Sequence, residues 1–391
     1  MPTIQRNVAV NNTRLGSYLD GVLAKELHPA ATTGLNKFVS LLAGANAMIH
    51  AKAASVGTVL GAPVGPVDFG NDSDRGGFSQ RFQNGIVYLL PPAAPCWVHG
   101  AILDKYLAIG GEKSVLGYPI TDERTTPDGI GRYVHFQDGS IYWTYATGAQ
   151  VVRGEIRNKW AALGWERGWL GYPTSDEIGF TEDGRISQFQ NGNIYFWPDT
   201  GAIELGNVAV RYRGLYCFGE SNEWSSADEP YVVLGTVAVP NTPPLTVRSR
   251  VYDDVDSGNA RPDLITLYTG QPLGLTVTYD LFERDEGDPD AYLSLVKTGV
   301  ELSGKGVAAG CVELFGPEAA KTCESIWSAI GPALSKFLNG QLGTDDDHID
   351  AGWWTLSAKE MVTMAGAPHQ NQWGVEYQWA SKLLSDGDAS Y

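Results

Sequence analysis

Leu116-Gly117-Tyr118-Pro119, then Thr121-Asp122-Glu123, then Phe136-Gln137-Asp138-Gly139-Ser140-Ile141-Tyr142-Trp143 is a passage that the chain writes twice. The second version reads Leu170-Gly171-Tyr172-Pro173, Ser175-Asp176-Glu177 and Phe189-Gln190-Asn191-Gly192-Asn193-Ile194-Tyr195-Phe196. The leucines are 54 residues apart (170 minus 116) and the phenylalanines 53 (189 minus 136). A degenerate earlier version runs from Leu60-Gly61-Ala62-Pro63 to Phe82-Gln83-Asn84-Gly85-Ile86-Val87-Tyr88. A period of about 50 residues marks supersecondary units that bury their apolar faces only by stacking.

Each copy has a local logic. Asp138-Gly139, Asn191-Gly192 and Asn84-Gly85 are expected to supply positive φ in tight hairpin turns. Upstream, Ile102 to Ala108 and Ile156 to Leu163 read as short helices, and Gly110-Gly111 and Gly164 as their left-handed ends. Pro119 and Pro173 keep the chain from resuming the helix. One unit is thus helix, glycine stop, Leu-Gly-Tyr-Pro corner and hairpin. Asp122, Glu123, Asp176 and Glu177, just after the corner, read as acceptors for local turn amides or as ligand contacts.

Residues 60–205 resemble the LGFP repeat family, named for a Leu-Gly-Phe-Pro corner; here Tyr or Ala replaces the Phe. The resemblance implies a compact, propeller-like module on a secreted or cell-surface protein, holding cell-wall or cell-surface polysaccharide. The module is rich in aromatic residues, which stack on the C–H faces of sugars. The candidate ligand contacts are Tyr118, Trp143, Tyr172 and Trp197, with Asp122 and Asp176 reading hydroxyls. Trp160, inside a helix, reads as core.

At 391 residues the chain is multidomain and α+β, with expected boundaries at 1–58, 59–206 and 207–391. The first segment reads as short helices. Residues 13–27 make one, and a second, capped at Thr32 or Thr33, carries Leu35, Phe38, Val39, Leu42 and Met48 into the first repeat. The net charge of −17 argues against nucleic-acid binding, which needs clustered Lys and Arg. No run of about 18 apolar residues exists to span a membrane. Met1 to Asn7 is not the start of a signal peptide, so the expectation is a leader already removed or another export route. Cys311 and Cys323 are either bridged or buried free thiols.

From residue 207 the pattern alternates: Val208–Arg213, Tyr231–Val239, Leu245–Tyr252, Leu273–Phe282 and Trp373–Leu383 read as strands of an antiparallel β-sandwich. Val307 to Leu338 reads as a helical insertion. The loops of this half carry Asp228, then Asp253, Asp254 and Asp256, then Asp285, Asp288 and Asp290, then Asp345, Asp346 and Asp347. Ca²⁺ takes six to eight oxygen ligands, often from such loops, so these aspartates are the candidate metal ligands. Their order, with Trp353-Trp354 following, loosely resembles a C2-type calcium sandwich, in which another strand would follow Asp290.

There is no His-Glu-x-x-His, Gly-x-Ser-x-Gly or phosphate-cradling loop, and the six histidines are scattered. The expectation is a non-catalytic extracellular binding protein, with repeats on a glycan and calcium in the C-terminal half. Two alternatives stand beside it. One is a secreted toxin or membrane-targeting factor using calcium on an anionic membrane surface, suggested by Trp353 and Trp354. The other is a hydrolase of wall polysaccharide.

Overall fold

The computed structural model describes residues 29–69, 76–217, 229–238, 243–284, 289–310 and 348–366. The expected helix at 13–27, the helical stretch 311–338, Cys311 and Cys323, the strand at 373–383, and Asp228, Asp285, Asp288, Asp345, Asp346 and Asp347 lie outside these residues. The chain forms two compact units. One runs to Glu177 and includes Gln188–Gln190; the other comprises Ile178–Ser187 and everything from Asn191.

The first unit opens with helix α1 (Pro29–Val56). A proline suits its first turn, where an N–H would have no partner. As the register of Ile49 with Ile102 and Ile156 suggests, α1 serves as the helix of the first repeat: Ile49 and Ala45 are buried against Phe78, Phe82 and Leu89. Helices α2 (Gly100–Ala108) and α3 (Gly154–Ala162) follow, each stopped by a left-handed glycine, Gly110 at φ 110° and Gly164 at φ 92°.

Each copy then builds more than a hairpin. Strands β1 (Asp68–Phe69), β2 (Phe78–Phe82), β3 (Gly85–Leu89) and β4 (Cys96–Val98) form one antiparallel meander. Strands β5 (Arg124–Thr125), β6 (Arg132–Phe136), β7 (Gly139–Thr144) and β8 (Gly148–Arg153) form the next. The hairpin pairs Phe136 with Gly139, so its two turn residues are Gln137 and Asp138. Gly139 is therefore a strand residue, and its φ is not positive. It must be glycine for another reason: a Cβ there would sit 2.6 Å from Leu116 Cδ2. The glutamine clamps the corner. Gln137 Oε1 accepts from the Tyr118 amide at 2.9 Å, and Gln190 Oε1 accepts from the Tyr172 amide at 2.9 Å.

Consecutive copies interlock through the residues of the acidic dipeptide. Asp122 accepts from Lys52 Nζ at 2.5 Å and from the Trp97 amide at 2.8 Å. Asp176 repeats this with Lys105 at 2.6 Å and the Val151 amide at 2.8 Å. Glu177 pairs with Arg153 at 2.8 Å, as Glu123 does more loosely with His99 at 3.6 Å. These carboxylates join one copy's helix and last strand to the next copy's corner; they are not local turn acceptors. The corner tyrosine adds a second lock. Tyr118 lies over Gly77 and Tyr172 over Gly131, where added Cβ atoms would meet their rings at 2.3 and 2.7 Å.

The second unit contains the third copy's sheet: β9 (Ile178–Gly179), β10 (Arg185–Gln188), β11 (Asn193–Trp197) and β12 (Gly201–Leu205). Beyond it, β13 (Val208–Tyr216) pairs with β16 (Ala260–Gly270). A four-stranded antiparallel sheet has the order β15 (Leu245–Arg248), β14 (Pro230–Ala238), β17 (Leu275–Glu283), β18 (His348–Leu356). β14 is buried along its whole length, as a central strand should be. The strand expected after Asp290 is instead helix α4 (Pro289–Gly310). Proline again opens the helix, and the buried Val296 and Val300 sit four residues apart on one face. Helix α5 (Ala358–Gly366) completes the unit. Its Ala358 and Val362 share a core with Trp197, Tyr231 and Phe282. The fold is thus α+β with separate antiparallel sheets.

Candidate functional site

A cleft of about 470 Å³ opens in the first unit beside the second copy's sheet. Its floor comes from β6 and β7, and its rim from the turn Trp165–Arg167 that follows α3. Alternation along β6 buries Val134 and Phe136 and leaves Tyr133 and His135 partly exposed on the opposite face. Tyr133 is the register partner of Tyr142 on β7, and the two rings stack at 5.2 Å and 13°. Tyr142 in turn lies near-parallel to Trp165 at 6.1 Å and 22°. His135 stands 4.7 Å from the Tyr133 ring and 6.2 Å from that of Trp165.

A polar chain runs behind this wall. Arg157 on α3 lies over the Trp165 ring at 5.1 Å and donates from Nε to Ser140 Oγ at 2.7 Å. Ser140 Oγ is 2.7 Å from His135 Nδ1, and Arg157 Nη2 approaches the same nitrogen at 3.5 Å. With Arg157 donating, the serine hydroxyl donates onward to Nδ1. That arrangement leaves the imidazole proton on Nε2. Burial, then the Arg157 and Arg124 guanidiniums, push the His135 pKa down to about 4. Glu166, on the rim, is held above the usual carboxylate range by burial and then by the nearby Asp128 charge. Asp128 shifts the other way: partial burial opposes it, but donors at Ile130 N, Tyr172 Oη and Thr126 Oγ1 keep it ionised.

The His135 shift has a consequence for stability. The unfolded imidazole protonates near pH 6.5 and the folded one only near 4. Its contribution is therefore complete above 6.5 and is lost as pH falls through the folded value. His135→Gln should flatten the fall in melting temperature between pH 7 and pH 4. Identical slopes in both proteins would refute this account.

Trp165 has an unusual backbone. Its φ is +59°, a region that bulky side chains rarely enter. The equivalent residue one copy earlier is Gly111, at φ +60°. The same turn is therefore built without cost in one copy and against a steric penalty in the next.

The expected ligand contacts lie elsewhere. Tyr118 and Tyr172 are each 4% exposed, closed into the copy-to-copy lock. The Tyr172 hydroxyl is 2.8 Å from Thr126 Oγ1 and donates to Asp128 at 2.7 Å. Trp197 is fully buried and donates from Nε1 to the Thr181 carbonyl at 3.0 Å, so neither ring face is open to a sugar. Trp143 is partly buried against the second sheet's core. Asp122 and Asp176 are engaged by lysines and amides. Sequence reading passed over Tyr133 and His135. The available signal was that the other copies place Ser79 and Arg81, or Ile186 and Gln188, at those positions.

Of the candidate calcium ligands, Asp253, Asp254, Asp256 and Asp290 are among the described residues. Asp253, Asp254 and Asp256 share one exposed loop, and Arg261 donates to the carbonyls of Asp253 and Asp254. Asp290 accepts from Arg248. Among the described residues, no three His, Cys, Asp or Glu side chains gather as a metal site. No described helix is long and apolar enough to cross a membrane. Trp354 stacks on Tyr279 at 4.9 Å, while Trp353 stays 39% exposed.

No curated protein matches the chain. The family model described as LGFP repeat matches residues 60–114, 116–168 and 170–215, and the chain carries three LGFP repeats.

Proposed function

We propose that this chain is a non-catalytic binding protein of the cell surface or cell wall, and that it takes hold of a glycan on the partly exposed rings of Tyr133 and Trp165, with the buried Tyr142 packed beneath them. The observation that carries this reading is the Trp165 ring, kept at positive φ beside two stacked tyrosines. Backbone strain of this kind persists where the surroundings over-determine it, and it gathers at ligand clamps. The rings offer apolar area for sugar C–H faces. Neutral His135 and protonatable Glu166 offer the few polar groups that orient a ligand. Calcium at the acidic loops stands apart from this proposal and does not support it.

The test is retention of the whole chain on insoluble cell-wall polysaccharide. Trp165→Gly is the useful variant, because Gly111 shows that glycine suits the same backbone. It should keep the backbone of the turn and bind at least tenfold more weakly, a loss of about 1.4 kcal/mol. Unchanged retention with unchanged folding would remove the cleft from the reading. One feature favours hydrolysis instead: Glu166 and Asp128 are neighbouring carboxylates with oppositely displaced pKa values. Reducing ends released by the parent and absent with Glu166→Gln would replace binding with catalysis.

A further inference from the structure

We infer that the three repeats provide one glycan position and not one per copy, and that it lies at the junction of the second copy's sheet with the turn at Trp165. This rests on the glycan reading above and adds where and how often a sugar is held. A junction of this kind needs one copy's central strands and the turn after the following helix. The third copy's sheet is followed by strand β13, not by such a helix. Its equivalents of Tyr133 and Tyr142 are Ile186 and Tyr195, both fully buried. Three copies therefore make two junctions, and the two can be compared position by position.

Their backbones correspond closely. Ser79 pairs with Tyr88 in the first junction as Tyr133 pairs with Tyr142 in the second. Gly111 and Trp165 share one conformation. Tyr88 and Tyr142 are both present, and each feels the charge of the equivalent glutamate, Glu112 or Glu166.

The side chains around that shared frame differ in a consistent direction. Where the second junction has the rings of Tyr133 and Trp165, the first has Ser79 and Gly111. Where the second has the linked Arg157 and Ser140, the first has Leu103 and Ile86, both buried in apolar core. His135, the third member of that chain, is replaced by Arg81, an exposed cation on the same strand position. The first junction is thus closed with aliphatic packing. The second exchanges that packing for stacked rings, a neutral imidazole and a partly buried hydrogen-bond relay. Withdrawing such a relay even partly from water is costly unless every member is satisfied, and core packing at the first junction is achieved without one. The aromatic and polar set therefore serves something other than holding the copies together. Its chemistry fits one uncharged, hydroxyl-bearing pyranose: rings for the C–H face, and His135 Nε2–H with Glu166 for hydroxyls.

The experiment measures retention of the full chain on insoluble cell-wall polysaccharide, with folding of each variant followed by circular dichroism. Tyr133→Ala alters a partly exposed ring, and it should lower the binding constant at least tenfold. The paired substitution Ser79→Ala with Arg81→Ala should leave it within twofold. Retained binding in Tyr133→Ala, or a comparable loss in the Ser79/Arg81 variant, overturns the single position while the glycan reading stands. Absence of retention in the parent chain overturns both. If Tyr133→Ala proves misfolded, Tyr133→Leu keeps apolar volume without the aromatic face and must show the same loss.

Discussion

Trp160→Ala is expected to cost about 3–5 kcal/mol of stability, the range for removing a buried aromatic from a packed core. Trp160 is fully buried, meets Tyr142 edge-on at 4.7 Å and Trp165 at 5.2 Å, and contacts Phe189 at 5.5 Å. Its Nε1 donates to the Gly171 carbonyl at 3.1 Å, tying α3 to the following corner. Tyr106 performs the same task one copy earlier, its hydroxyl donating to the Gly117 carbonyl at 2.6 Å. Two losses are therefore combined in the alanine variant, and Trp160→Phe separates them. Phenylalanine keeps most of the ring but not the donor, which should cost about 1–3 kcal/mol for a buried carbonyl left unpaired. Urea unfolding of the three proteins measures both steps. An alanine variant within about 1 kcal/mol of the parent would mean that the surroundings collapse into the space.

The repeat was readable because its defining residues do local work. The Leu-Gly-Tyr-Pro corner, the glycine after each helix and the Phe-Gln-x-Gly hairpin each constrain a few residues of backbone, and such constraints leave a spaced signature. Gly139, in a dipeptide that usually signals positive φ, is here a strand residue kept small by Leu116, which lies 23 positions earlier (139 minus 116). Asp122 and Asp176 likewise read as local acceptors or as ligand contacts. Their lysine partners are 70 and 71 residues distant, and no local pattern identifies a partner that far away. The first strand of each sheet leaves no pattern for a related reason: β1, β5 and β9 have two residues each, too few to show an alternation.

The candidate site was hidden in a different way. Tyr133 and His135 look like ordinary strand residues when the second copy is read alone. They stand out only when the copies are aligned by structure and the differences are read instead of the agreements. Residues that repeat, such as Ile102 and Ile156 or Gly110 and Gly164, carry the shared fold. Residues that break the repeat while the backbone stays fixed, above all Trp165 against Gly111, mark what one copy does that another does not. In the C-terminal half no internal copy exists to compare. There the acidic stretch before Asp290 suggested a loop between strands, whereas Pro289 opens a helix whose buried face is spread over four-residue intervals.

Trp197→Ala should likewise cost about 3–5 kcal/mol, and the reason is the end of the repeat series. In the first two copies the glycine before the second strand is covered by the next copy's corner tyrosine, Tyr118 over Gly77 and Tyr172 over Gly131. The third copy's equivalent is Gly184, and no fourth corner follows it. Its own Trp197 takes the place: a Cβ on Gly184 would lie 2.5 Å from Trp197 Nε1. The indole is stacked on Tyr195 at 6.4 Å and 9°, and lies 5.8 Å from Phe180. The second copy has Thr144 at the position of Trp197, a residue that suffices there because Tyr172 arrives from outside. Trp197→Thr therefore decides between two accounts. If the indole substitutes for a missing tyrosine, threonine should be nearly as damaging as alanine, since it leaves the space over Gly184 empty and the Thr181 carbonyl with the Gly184 amide as its remaining donor. If Trp197 were only one more core side chain adapted to its sheet, threonine would restore the arrangement of the second copy and recover most of the stability. Denaturant midpoints for the parent, alanine and threonine proteins distinguish the two, and a threonine variant within about 1 kcal/mol of the parent would end the capping explanation.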